Sequence, residues 1–147
     1  MEDARLAIDA YQEIFRNPKL PPLVVNDLYD LFPPNGVPEA PAGWPDPWPG
    51  GEFAGVYLVI AADHSMVYVG KASMNSAIAV RLSSYFVFDD QRNCRIKHPQ
   101  SWKGEPRYVA TVAMKHEYRF EAPALEEYLI AKLRTTDNKA GSGANDV

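Results

Sequence analysis

The chain has 147 residues, of which 46% are apolar and 23% charged, with a net charge of −4; that fits one compact domain with a filled core. No apolar run approaches the roughly 18 residues a bilayer span needs, so no membrane partner is expected. The single cysteine, Cys94, excludes an internal disulfide, and three scattered histidines (His64, His98, His116) argue against structural zinc.

The first ten residues, MEDARLAIDA, are acidic and lack the basic start of a secretion signal, so a cytoplasmic (intracellular) location is expected. Charge is unevenly spread. Residues 1–51 carry 3 basic and 8 acidic side chains, residues 52–116 carry 8 and 5, and residues 117–147 carry 4 and 6. The middle is therefore positive, and the local field steers ligands more than the total charge does. The acidic first third is complementary to that middle and could fold over it.

In chain order, Ala4, Ile8, Tyr11, Ile14 and Phe15 recur at helical spacing and predict an amphipathic helix over residues 3–16, stopped by Asn17-Pro18. A second short helix is expected within residues 23–32, with Asn26 as N-cap and Leu28, Leu31 and Phe32 on its buried side. Residues 33–50, PPNGVPEAPAGWPDPWPG, are too rich in proline for helix or inner strand and should be extended and stiff. Their two tryptophans, Trp44 and Trp48, either lie flat on the domain or form a strap that docks a protein partner.

Residues 56–60 and 66–69 are short runs of Val, Ile, Leu and Tyr joined by a five-residue polar loop, which predicts a β-hairpin. Gly70 and Lys71 follow, then a helical stretch carrying Arg81, with Tyr85 four residues on along the same helix face. One tyrosine comes from each strand, Tyr57 and Tyr68. Should they converge with Arg81, two phenols and a guanidinium make a pocket better suited to phosphate than to an apolar ligand. Residues 87–106 lose periodicity and hold Arg92, Arg95, Lys97, His98, Trp102 and Lys103; basic residues interleaved with an aromatic suit contact with nucleic-acid phosphates and bases. Residues 107–114 predict a third strand. The last helix starts near Glu121, with Pro123 in its first turn and Leu125, Leu129 and Leu133 as its apolar stripe, and ends near Arg134. The expected fold class is α/β (α+β): a small three-stranded, mostly antiparallel sheet flanked by helices. Residues 1–50 are expected to form a helical and proline-rich arm, 51–140 the main domain and 141–147 a flexible tail.

The triplets Gly55-Val56-Tyr57 and Tyr68-Val69-Gly70, with YVGKAS and RLSSYF around them, resemble the hairpin core of the GIY-YIG nuclease family, and most of all the UvrC N-terminal incision domain. The segment Leu125-Glu126-Glu127-Tyr128-Leu129-Ile130, followed by Asn138, is similar to that family's helix with a metal-binding glutamate and its later asparagine. The resemblance runs from Gly55 to about Asn138 and departs from the family pattern at Thr135-Thr136-Asp137, where prolines are common. It implies a metal-dependent endonuclease hydrolysing phosphodiester bonds, expected in DNA with RNA left open. Glu126 would hold magnesium (or manganese), which prefers oxygen ligands and keeps most of its waters. Arg81 would clamp the phosphate. Tyr57 or Tyr68 would act as general base, although a phenol is a poor one near neutrality. Lys71 would stabilise the phenolate, Tyr85 would hold the phosphate or Arg81, and Asn138 would orient groups around the site. Two other readings use the same scaffold: a catalytically inactive nucleic-acid-binding module, and a protein-interaction module recruited through the tryptophan strap.

Overall fold

The computed structural model describes residues 1–41 and 45–138; the expectations for Trp44 and for the tail beyond Asn138 fall outside them. Helix α1 (Glu2–Phe15) opens the chain, and strand β1 (Tyr29–Asp30) follows. The hairpin is β2 (Ala54–Ile60) and β3 (Met66–Ala72). Next come helix α2 (Ile78–Leu82), strands β4 (Phe86–Phe88), β5 (Cys94–Ile96) and β6 (Tyr108–Met114), and helix α3 (Glu121–Lys132). Four strands form one sheet in the order β1-β6-β2-β3, and every pair in it is antiparallel. β4 and β5 make a separate two-stranded hairpin.

β2 explains the layering. Its sequence, AGVYLVI, has no charged residue, and all seven positions are buried, as a central strand covered on both faces requires. Val56, Leu58 and Ile60 face one way, packing with Ala4 and Ile8 of α1 and with Leu125 and Leu129 of α3. Tyr57 and Val59 face the other way, against Ile78 and Leu82 of α2, with Leu31, Trp48 and Phe86. Helices α2 and α3 thus cover opposite faces. The β2–β3 register shifts between Val59 and Ile60, a bulge that places Val59 opposite Tyr68 and Ile60 opposite Met66.

Four expectations are corrected. Residues 23–32 are not helical: Val25 bridges Val112, Asn26 N–H donates to Thr111 O at 2.9 Å, and Tyr29–Asp30 pair with β6. The segment satisfies its backbone by extending the sheet, so the sheet has four strands where three were expected. Ile14 and Phe15 are 66% and 64% exposed, whereas Ala4, Ile8 and Tyr11 are the buried residues of α1. The stretch after residue 86 is a hairpin whose turn is closed by Asp89, which accepts from the N–H groups of Gln91 (2.9 Å) and Asn93 (2.8 Å). Finally, the helix carrying Arg81 ends at Leu82, before Tyr85.

The described part of residues 1–50 packs against the rest of the molecule. Arg16 donates to Glu121 of α3 at 2.7 Å with both side chains buried. Trp48 is buried between Tyr29 (5.5 Å between ring centroids) and Phe88 (5.9 Å), so its ring is not presented for docking. The acidic segment does reach the basic one: Asp30 and Glu39 pair with Arg107, and Asp46 pairs with Arg92 at 3.5 Å. Among the described residues, no carboxylate of residues 1–50 pairs with Arg81, Arg95, Lys97 or Lys103.

Candidate active site

The hairpin register builds the first half of the site. Tyr57 lies opposite Gly70 and Val59 opposite Tyr68, so Tyr57, Tyr68 and Gly70 share the α2 face. Gly70 leaves room for a ring. A Cβ there would sit 2.6 Å from Cε2 of Tyr57 and closer still to its Cζ and Oη. Gly55 serves a different need: its φ of +155° suits glycine, and a Cβ would collide with the Val112 carbonyl and come within 2.9 Å of Ile78 Cδ1. Gly70 is therefore fixed by close packing against Tyr57, and Gly55 by close packing against Val112 and Ile78.

Three phenols and one guanidinium come together. The Tyr57 hydroxyl donates to that of Tyr85 at 3.2 Å, and Arg81 Nη2 donates to the Tyr85 hydroxyl at 3.4 Å. The rings of Tyr57, Tyr68 and Tyr85 form a triangle with centroid separations of 6.2, 6.1 and 6.1 Å. Tyr85 reaches Arg81 although it lies beyond α2, because the chain keeps turning: Ser84 N–H donates to Arg81 O and Tyr85 N–H to Leu82 O. Burial raises the Tyr57 phenol far above its usual pKa, and the neighbouring Tyr85 adds to the rise. Burial, reinforced by Tyr85, pushes Tyr68 up to about 12. The Tyr57 phenol beside Arg81 raises the guanidinium further, so it stays charged. Arg81 itself remains exposed.

Glu126 belongs to the other face. It is buried on α3 and accepts a hydrogen bond from Lys71 Nζ, and Lys71 stands opposite Val56 on the α3 side of β3. Lys71 is therefore tied to a carboxylate instead of standing beside a phenol. Because β3 is an edge strand, the two faces meet at its rim, and Tyr68 senses both: Glu126 raises its pKa while Arg81 lowers it. Glu126 is thus electrostatically linked to the phenol cluster without touching it.

Asn138 holds that rim. Its amide accepts from Val69 N–H and donates to Val69 O, both at 2.8 Å, so one side chain pairs with the edge of β3 as a strand would. Asp137 N–H donates to Val67 O at 2.9 Å beside it. Val69 separates Tyr68 from Gly70, so Asn138 braces the backbone beside the tyrosine. Sequence reasoning missed Asp137, whose carboxylate accepts from the N–H groups of Lys103 (2.7 Å) and Gly104 (2.9 Å) and so clasps the Trp102 loop against β3. The Asp-Asn pair after the last helix was the available signal.

The residues expected to bind nucleic acid divide. Trp102 joins the tyrosines, 5.8 Å from Tyr68 and 5.5 Å from Tyr85 by ring centroid, and stacks on Phe86 at 6.1 Å with 22° between planes. Lys97 follows β5, with its N–H bonded to Tyr85 O, and Lys103 adjoins Trp102; both are exposed. Arg92 and Arg95 sit on the β4–β5 hairpin, and both are exposed, Arg92 beside Asp46.

Among the described residues, no group of three or more His, Cys, Asp or Glu side chains is arranged to hold a metal. Glu126, which is linked electrostatically to Tyr68, has one oxygen engaged by Lys71. One carboxylate already paired with a lysine does not make an all-protein cage for a cation. No family model matches this chain, and no curated protein or solved structure is found similar to it.

Proposed function

We propose that the chain is a metal-dependent endonuclease of the GIY-YIG type, hydrolysing phosphodiester bonds in DNA with the help of magnesium or manganese. The observation that carries this reading is the joining of Tyr57, Tyr68, Tyr85 and Arg81 on one side of the edge strand, with Glu126 across its rim within electrostatic reach of Tyr68. Arg81 binds the non-bridging phosphate oxygens, which its planar fork fits. The Tyr85 hydroxyl accepts from Arg81 Nη2 and from the Tyr57 hydroxyl, which fixes the guanidinium and leaves the Tyr85 O–H to donate to the phosphate. Glu126, shared with Lys71, would hold the cation. Once bound, that cation would offset phosphate charge and lower the pKa of a bound water. At a pKa of about 12 only about one Tyr68 in 10⁵ is a phenolate at pH 7, so near neutrality Tyr68 chiefly orients the attacking water.

The test is nicking of supercoiled plasmid with magnesium. Arg81→Ala should lower the rate by about 10²–10³-fold, and Glu126→Gln should abolish cleavage while DNA binding persists. Cleavage by Glu126→Gln at the rate of the unaltered chain contradicts the proposal. The engagement of Glu126 by Lys71 favours a second reading, a nucleic-acid-binding module without catalysis. That reading predicts DNA binding by the unaltered chain with no nicking under any divalent cation.

A further inference from the structure

Beyond the Arg81 cluster lies an open cavity of about 220 Å³, walled by Tyr68, Tyr85 and Trp102 and rimmed by Ser84, His98 and Ser101, with Asp137 also lining it. Its volume is below the roughly 300 Å³ at which pockets begin to take drug-sized ligands, so it suits a single planar group. The walls are fixed in advance. Trp102 is stacked on Phe86 and set edge-on to Tyr68 and Tyr85, and the Asp137 carboxylate pins the two residues that follow it. Tyr85 is shared: its ring lines the cavity and its hydroxyl meets Arg81. Charge sorts the two compartments. The Asp137 carboxylate makes the cavity unfavourable for an anion, while the guanidinium beyond Tyr85 favours one. A ligand that satisfies both has a neutral flat ring joined to a phosphate.

We propose that this cavity is a nucleobase subsite, in which one unpaired base rests against Tyr85 and Trp102 while its own phosphate lies on Arg81. The inference rests on the proposed nuclease reading for the phosphate and adds a substrate class: a strand with an extruded or single-stranded nucleotide, since a base within a duplex stack cannot enter an aromatic pocket.

The experiment compares a fluorescein-labelled thymidine hexanucleotide with the same oligonucleotide carrying one central abasic site. Binding to the full chain is followed by anisotropy, with EDTA present so that cleavage plays no part. Removing the base should weaken binding by about ten-fold, the size of one base–aromatic stack. Trp102→Ala should lose a similar factor with the intact strand and no more with the abasic one, and Trp102→Phe should recover part of the loss. The abasic comparison needs no variant, so a misfolded Trp102→Ala protein leaves the test intact. Equal affinity of the unaltered chain for the two strands, or no binding of either, overturns the proposal. Magnesium-dependent nicking with base-independent binding refutes the subsite alone, and base-dependent binding without nicking refutes the nuclease reading alone.

Discussion

Gly70→Ala tests the packing that holds the tyrosine cluster. Gly70 lies across from Tyr57, and a Cβ there would be 2.6 Å from Cε2 of the ring, with Cζ and Oη nearer still. A terminal ring can often step aside. Tyr57 cannot, because it is fully buried among Val59, Ile78, Leu82 and Phe86 and its hydroxyl is bonded to Tyr85. Overpacking of this kind costs about 1–3 kcal/mol. Replacing glycine by alanine returns about 0.4–1 kcal/mol through the unfolded chain, so a net loss of about 1–2 kcal/mol is expected. For a chain of this size that lowers Tm by about 2–8 °C. Urea denaturation measures it. The same change in a Tyr57→Leu background meets open space and should be neutral or slightly stabilising, giving a coupling above about 1 kcal/mol. Equal costs in the two backgrounds would refute the reasoning.

Asn138→Ala leaves Val69 N–H and C=O without the amide at the β3 edge; a loss of about 2–4 kcal/mol is expected, with hydrogen exchange at the Val69 amide accelerated more than at Leu58 in central β2. Burial alone would raise the Asp30 carboxyl, but hydrogen bonds from Arg107 and from the N–H groups of Glu39 and Phe32 outweigh it and hold the pKa below its usual value. Its stabilisation is therefore present above the ordinary carboxylate pKa of about 3.9 and is lost as pH falls through the folded value. Asp30→Ala should cost about 3–5 kcal/mol at pH 7, and the difference from the unaltered chain should shrink steadily below about pH 4. If Tyr68 acts as the general base, its elevated pKa requires the single-turnover cleavage rate to rise about ten-fold per pH unit between pH 6 and pH 9, with Tyr68→Phe flattening the profile. A level profile in the unaltered chain removes Tyr68 from that role.

What the sequence disclosed follows from how local each cause is. The β2–β3 hairpin and α3 are driven by their own apolar periodicity, and both are present within three residues of expectation. Tyr57, Tyr68 and Arg81 converge because strand alternation and a short connection leave little choice. Residues 23–32 misled because Leu28, Leu31 and Phe32 keep helical spacing, while the deciding partner, β6, lies some 80 residues away in sequence; edge pairing of that kind has no local signature. The β4–β5 hairpin was hidden by short strands, although Asp89 and Asn93 are turn formers. The engagement of Lys71 by Glu126 and of Asn138 by Val69 depends on tertiary contacts, which residue type alone does not reveal.

The central claim is that Glu126 and the Arg81 cluster serve one cation and one phosphate across the rim of β3. Paramagnetic broadening by manganese tests it, recorded on the isotope-labelled chain bound to a phosphorothioate oligonucleotide that resists cleavage. The account predicts broadening centred on Glu126, Lys71 and Tyr68, extending to Arg81 and lost in Glu126→Gln. Broadening centred elsewhere on the molecule, or unchanged in Glu126→Gln, would contradict it.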